Sequence, residues 1–193
     1  MVIIKVTGGL GNQLFQFAMG VAIEETLGFQ VKYDLCEYKF GGYRKFDLDK
    51  FVCDLKIATG EEIERNNNVF QKIKFKIFQF LGFPFGLKGL KYYLERNFQY
   101  DEKVFDLDDD IYLSGYWQSE KYFSKYANQI REDFTFQDAL DEKNTILISR
   151  IRDCNAVSIH VRRGDYVSNR KASSTHGVCS LEYYQKSIKF IAG

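Results

Sequence analysis

Val2-Ile3-Ile4-Lys5-Val6-Thr7-Gly8-Gly9-Leu10-Gly11-Asn12-Gln13-Leu14 decides the fold. The run from Val2 to Val6 is short, mostly apolar and β-branched, and it ends at a glycine cluster. That pattern reads as a buried strand followed by a tight turn. Asn12 is placed to cap a helix. Leu14, Phe17, Ala18, Val21 and Ala22 then recur at helical spacing, and Gly28 stands where a left-handed terminal glycine belongs. Residues 30–35 supply a second strand. A strand, turn, helix and strand in this order open an α/β domain built on a parallel sheet.

Further along, residues 59–66 read as a short acidic helix. Residues 70–81 fit both periods: Ile73, Phe75 and Ile77 alternate with lysines as in a strand, while Phe70, Ile73, Ile77, Phe80 and Leu81 share a helical face. Length favours the helix. Gly82, Pro84, Gly86 and Gly89 mark a loop. A strand is expected over 111–116, helices over 119–134 and 142–152, and an apolar strand over 156–161. Ser180 suits the N-cap of a last helix. The strand at 156–161 and the helix from 180 look like the opening of a second Rossmann-like unit. The expected division is a 1–152 N-terminal α/β domain and a 153–193 start of the next. One strand and one helix cannot build a sheet or bury a core, so a longer chain is expected to complete that unit.

The chain has 193 residues and a net charge of +1, which leaves no global electrostatic footprint for nucleic acid. Aromatic residues reach 17%, so rings serve either a Phe-rich core or sugar contacts. Cys36, Cys53, Cys154 and Cys179 are scattered without a C-x-x-C pair, and only His160 and His176 could join them. Such spacing argues against a structural zinc site and for reduced thiols in a cytosolic protein. No apolar run approaches the length of a membrane span.

Two segments carry candidate chemistry. His160-Val161-Arg162-Arg163-Gly164-Asp165 sits at the carboxyl end of an expected strand, where open α/β sheets bind ligands. Adjacent guanidinium forks match phosphate oxygens; a solvated Arg-Arg-Asp turn is the alternative. Gly8-Gly9-Leu10-Gly11-Asn12-Gln13 lies between strand and helix, a context for anion capture by backbone N–H groups. Leu14 occupies the place of the third glycine of a dinucleotide fingerprint, which disfavours a nucleotide-dependent oxidoreductase. The alternative is a tight turn with glycines at positive φ. Asp106 to Asp110 precedes a strand rather than following one, so a solvated turn outranks a metal-diphosphate motif. Lys72, Lys74 and Lys76 with Phe75 and Phe78 either meet anionic lipid or lipid-linked glycan, or form a solvated face.

Four segments in order resemble the α-1,2-fucosyltransferases of glycosyltransferase family 11: Gly8 to Ala18, Gly115 to Phe123, His160 to Val167 and His176 to Tyr184. The resemblance implies a GT-B-like pair of Rossmann-like domains. It implies an inverting enzyme that moves L-fucose from GDP-L-fucose to the 2-hydroxyl of a galactoside, with no required metal and no cofactor beyond the donor. Arg162 and Arg163 match the motif arginines expected to hold the pyrophosphate, and His160 and Asp165 match the flanking positions. Gly9, Gly11, Asn12 and Gln13 match the motif bordering the donor site. His176 and Asp34 are candidate acceptor contacts. The expected partners are GDP-fucose and a galactoside-containing oligosaccharide or lipid-linked glycan, without nucleic acid. The expected setting is polysaccharide biosynthesis in the cytoplasm or peripherally at the inner face of the membrane. The rival reading is a non-catalytic glycan- or nucleotide-binding remnant.

Overall fold

The structure, a computed structural model, describes residues 1–39, 44–80, 91–161, 163–168, 174 and 177–192, with the side chains of 75, 78, 79, 165 and 166 set aside. The expected loop at 82–89 lies outside these residues. Two compact units emerge, Met1–Ala139 and Leu140–Gly193.

In the first unit, β1 (Val2–Lys5) leads into α1 (Leu10–Leu27), β2 (Val31–Asp34) and the single turn α2 (Cys36–Lys39). Then follow α3 (Gly60–Asn66), α4 (Val69–Phe80), β3 (Tyr92–Leu94), β4 (Ile111–Ser114) and α5 (Ala127–Asp133). The four strands form a parallel sheet in the order β2-β1-β4-β3. The expected α/β class with a parallel, Rossmann-like sheet is therefore present.

Register assigns the two faces, because side chains alternate along a strand. Ile4, Tyr33, Leu113 and Tyr93 share one level. On that face α1 packs: the Phe17 and Tyr33 rings stack at 5.7 Å, and the Tyr33 hydroxyl donates to the Phe17 carbonyl at 3.2 Å. The other level holds Ile3, Lys32, Tyr112 and Tyr92, with the Tyr92 and Tyr112 rings stacked at 5.7 Å. Lys32 reaches Glu62 of α3 at 2.5 Å. Helices thus cover both faces, as buried parallel strands require.

The start and stop signals were partly as read. Thr59 and Glu62 form a reciprocal capping box on α3, and Gly28 closes α1 at φ 67°. Asn12 does not cap α1. Gly9 holds that place in extended conformation, and Gln13 N–H already bonds the Gly9 carbonyl at 3.1 Å. The helix begins early because partly buried Leu10 packs against the core. The helix expected over 119–134 is broken into short 3-10 turns before α5; buried Trp117, at φ 56°, and buried Tyr122 set that path. Asp110 is not a merely solvated acid. At φ 58° it accepts from Asn66 at 3.1 Å and pairs with Lys91 and Arg65.

The second unit contains α6 (Glu142–Arg152), α7 (Gly164–Ser168) and α8 (Leu181–Ala192). Asp141 caps α6, its carboxylate accepting from Asn144 N–H at 2.7 Å, and Ser180 does the same for Tyr183 in α8 at 3.2 Å. Residues 156–161 are not a strand: they have no ladder partner, and Val157, Ile159 and Val161 stay exposed. Without a neighbour to accept its N–H groups, an apolar run cannot become sheet. None of this unit's described residues is buried.

Candidate functional site

The sheet order places the site. β1 and β4 are the adjacent, parallel central strands of the sheet, so their carboxyl ends lie at the same edge. The crevice beyond the carboxyl ends of such a pair is where open α/β sheets bind ligands. The Thr7–Gly9 loop leaves β1 there, and the Gly115–Ser119 loop leaves β4 there.

Gln16, fully buried, ties the loops together: Thr7 N–H donates to its Oε1 at 3.0 Å, and its Nε2 donates to the Gly115 carbonyl at 2.9 Å. Gln118 Nε2 donates to Asn12 Oδ1 at 2.7 Å across the same junction. Glu95 accepts the N–H groups of Tyr116 at 2.6 Å and Trp117 at 3.2 Å. A Cβ on Gly115 would stand 2.6 Å from Glu95 Cβ, so this approach needs glycine.

Gly8, at φ 82°, presents its carbonyl to the Tyr38 hydroxyl at 2.9 Å and to Gln13 Nε2 at 3.1 Å. Gln13 is buried. It also donates to the Lys45 carbonyl at 2.8 Å and accepts from Asp47 N–H at 2.9 Å. Its amide is spent on backbone, so it shapes the loop. The start of α1 has neither a side-chain cap nor an acid in its first turn, which leaves its amide dipoles open to an anion. Arg44 passes over Gly9, its Cδ within 3.9 Å of where a Cβ would stand.

Glu37 anchors the other side. Its carboxylate accepts from Thr7 Oγ1 at 2.5 Å and Gly8 N–H at 3.4 Å and pairs with Lys5 at 3.2 Å. Burial pushes its pKa up, yet these partners outweigh it and hold the carboxyl below its usual range. Burial, then the Glu37 charge, pushes the Tyr38 hydroxyl up to about 12, so it remains a donor.

Next to Glu37 lies a polar cleft of about 370 Å³ lined by Lys5, Asp34, Glu37, Lys72, Tyr92 and Tyr112 among others. Asp34 is the buried charge among the described residues, at 4% exposure. Its oxygens accept from the Tyr112 hydroxyl at 2.6 Å and from Cys36 N–H at 2.8 Å. Burial, then the Asp34 carboxylate, raises the Tyr112 hydroxyl far above its usual pKa, which keeps the proton on tyrosine. A buried carboxylate at a sheet's carboxyl edge, facing a cleft, is an arrangement characteristic of binding sites.

The first unit thus brings Gly9, Gly11, Asn12, Gln13 and Asp34 to one edge, joined through Glu37. In the second unit His160 borders a separate cleft of about 450 Å³ with Tyr183, Tyr184, Ile159 and Ile188. Arg163 is exposed, and its carbonyl accepts from Val167 N–H at 3.2 Å at the start of α7. Arg162 and His176 lie outside the described residues, as does the side chain of Asp165. Sequence reading missed Gln16, Glu37, Glu95 and Arg44. Gln16 sits where α1 alternates apolar residues, and an uncharged amide inside an apolar face is a signal that could have found it.

Comparison with known proteins places the chain. The family model for glycosyl transferase family 11 matches residues 91–193. The chain belongs to glycosyl transferase family 11. It is 34% identical over 205 aligned positions to an alpha-1,2-colitosyltransferase of Escherichia coli, covering 99% of this chain and 64% of that protein. It is 28% identical over 199 positions to the O-antigen biosynthesis glycosyltransferase WbnK of Escherichia coli, covering 96% of this chain and 66% of that protein. The chain therefore spans just under two thirds of the length of these relatives. No solved structure matches it significantly.

Proposed function

We propose that this chain carries the acceptor side and the first part of the donor side of an inverting, GT-B-type galactoside α-1,2-fucosyltransferase. Residues 1–152 form the acceptor-side domain in this reading, and residues 153–193 begin the GDP-fucose domain. The observation that carries it is the Gly8–Gln13 loop and uncapped α1 start beside the Asp34 cleft, in a family 11 chain. L-Fucose passes from GDP-fucose to the 2-hydroxyl of a galactoside, in polysaccharide biosynthesis.

Each residue has a part. The acceptor oxygen attacks the anomeric carbon as the bond to the pyrophosphate breaks, and negative charge grows on the leaving group. Arg162 and Arg163 stabilise that charge, with His160 and Asp165 organising their loop. The α1 amides and the Gly9, Gly11 and Asn12 backbone border the donor, and Gln13 keeps that backbone in place. Asp34 and His176 hold acceptor hydroxyls; a carboxylate fixed by tyrosine and a backbone amide accepts from a sugar hydroxyl without reorganising.

The test is GDP-fucose turnover on a galactoside with linkage analysis of the product. Arg162→Ala and Arg163→Ala each remove roughly 3–4 kcal/mol of barrier lowering, with the circular dichroism spectrum unchanged. Asp34→Asn raises the acceptor KM and leaves GDP binding as it was. Near-normal turnover in both arginine variants overturns the assignment, and GDP binding without any transfer favours a non-catalytic binding module. A second donor is favoured by the colitosyltransferase relative. Colitose is L-fucose without its 3-hydroxyl, so competition between the two GDP-sugars decides whether the site reads that hydroxyl.

A further inference from the structure

α4 presents an apolar stripe to solvent. Its twelve residues, Val69–Phe80, comprise seven large apolar side chains, three lysines and two glutamines, without an acid. Val69, Phe70, Ile73, Ile77 and Phe80 fall on one stripe about 100° wide at helical spacing. Such a stripe ordinarily faces the core. Here it faces solvent, with exposures of 71%, 71%, 51%, 51% and 91%. Off the stripe, Gln71, Lys72 and Lys74 are half-buried, and the Lys72 ammonium stands 5.8 Å over the Tyr92 ring.

We propose that α4 docks this unit on an anionic lipid surface. Exposed Lys76 flanks one side of the stripe with half-buried Lys72 behind it, half-buried Lys74 borders the other side, and the helix itself carries no acid. Cations at the rim of an inserted apolar stripe are the signature of a helix lying in the interface. A second copy of this chain is a poorer occupant, because a two-fold contact sets the lysine rims against each other. Protein interfaces in general are depleted in lysine. Twelve residues rise only about 18 Å, short of the roughly 30 Å hydrocarbon layer, so the helix lies on the surface. Among the described residues no helix is long and apolar enough to cross a membrane.

The docking stands apart from the transferase reading, but it extends it. Lys72 also lines the Asp34 cleft, so a docked α4 holds that cleft near the headgroups, where a lipid-carried acceptor would present its sugar.

Co-sedimentation with phosphatidylcholine vesicles, with and without about one third phosphatidylglycerol, tests the proposal on the full chain. The expected result is binding to the anionic vesicles that weakens with salt. Lys76→Gln weakens it about fivefold, and Ile73→Gln combined with Ile77→Gln weakens it tenfold or more, with circular dichroism unchanged. Phe80→Trp gives an exposed reporter beside buried Trp117, expected to shift to the blue and to be quenched by brominated lipid. Three results overturn the proposal: equal affinity for neutral vesicles, a silent tryptophan at position 80, or a dimer in sedimentation that the paired glutamines dissolve. Transfer to a soluble acceptor is unchanged in the glutamine variants, so loss of docking and loss of the transferase reading are distinguishable.

Discussion

The side-chain amide of Gln16 donates to the carbonyl of Gly115 at 2.9 Å, joining two positions 99 residues apart. The same amide accepts from Thr7 N–H, so one buried side chain sets the distance between the loops that leave β1 and β4.

Removing it strands two backbone groups. Gln16→Ala leaves Thr7 N–H and Gly115 C=O without their partner, at about 1–3 kcal/mol for an unsatisfied buried group. Gln16→Glu keeps the acceptor and loses the donor, and it buries a charge besides. Both are expected to lower the urea midpoint, with Gln16→Glu recovering part of its loss at acid pH.

Two helix glycines separate fold from function. A Cβ on Gly20 would fall against the Tyr33 hydroxyl and 2.8 Å from its Cζ, in a buried site. Gly20→Ala is expected to cost about 1–3 kcal/mol. Gly11 has nothing within 4 Å of a Cβ, so Gly11→Ala should raise stability by up to about 1 kcal/mol. If the loop borders the donor as proposed, that stabler variant binds GDP more weakly. Thermal denaturation beside a GDP titration reads both effects.

Acid destabilises the first unit through identifiable carboxylates. Burial raises the Asp110 pKa, but Lys91, Asn66 and Arg65 lower it further, and Glu37 is likewise held low. A folded pKa below the unfolded one gives stability that is present above the unfolded value, near about 4, and is lost as pH falls through the folded value. Asp110→Asn keeps a residue that tolerates φ 58° and should flatten the acid limb of a pH–stability curve.

The cysteines differ in reactivity by position. Cys154 and Cys179 are exposed. Burial, then the Asp133 charge, pushes the half-buried Cys53 thiol up to about 11. Near neutral pH, alkylation followed by mass spectrometry should label Cys154 and Cys179 well before Cys53.

The opening strand, turn and helix were legible because Val2–Val6 and the α1 face follow single clean periods. β3 was not: Tyr92-Tyr93-Leu94 is too short to show a period, and its place comes from pairing with β4. Residues 156–161 show the converse, an apolar run that reads as strand yet has no neighbour to pair with. The glycine loop and Asp34 were visible from their places at strand ends. Glu37 and Glu95 were not, since each acts by accepting backbone N–H groups from loops distant in sequence. On α4 the amphipathic spacing was visible, whereas its orientation depends on tertiary packing that a helical wheel does not contain.

β1 is central in the sheet, flanked by β2 and by β4, and this shapes how the protein is made. At roughly 5–20 residues per second of synthesis, β4 follows β1 off the ribosome roughly 5–20 s later. Through that interval β1 has β2 on one side and an open edge on the other, carrying residues that end fully buried. The β1 edge of the first unit is therefore covered only once β4 has been made, and slowing translation ahead of codon 111 should lengthen its exposure.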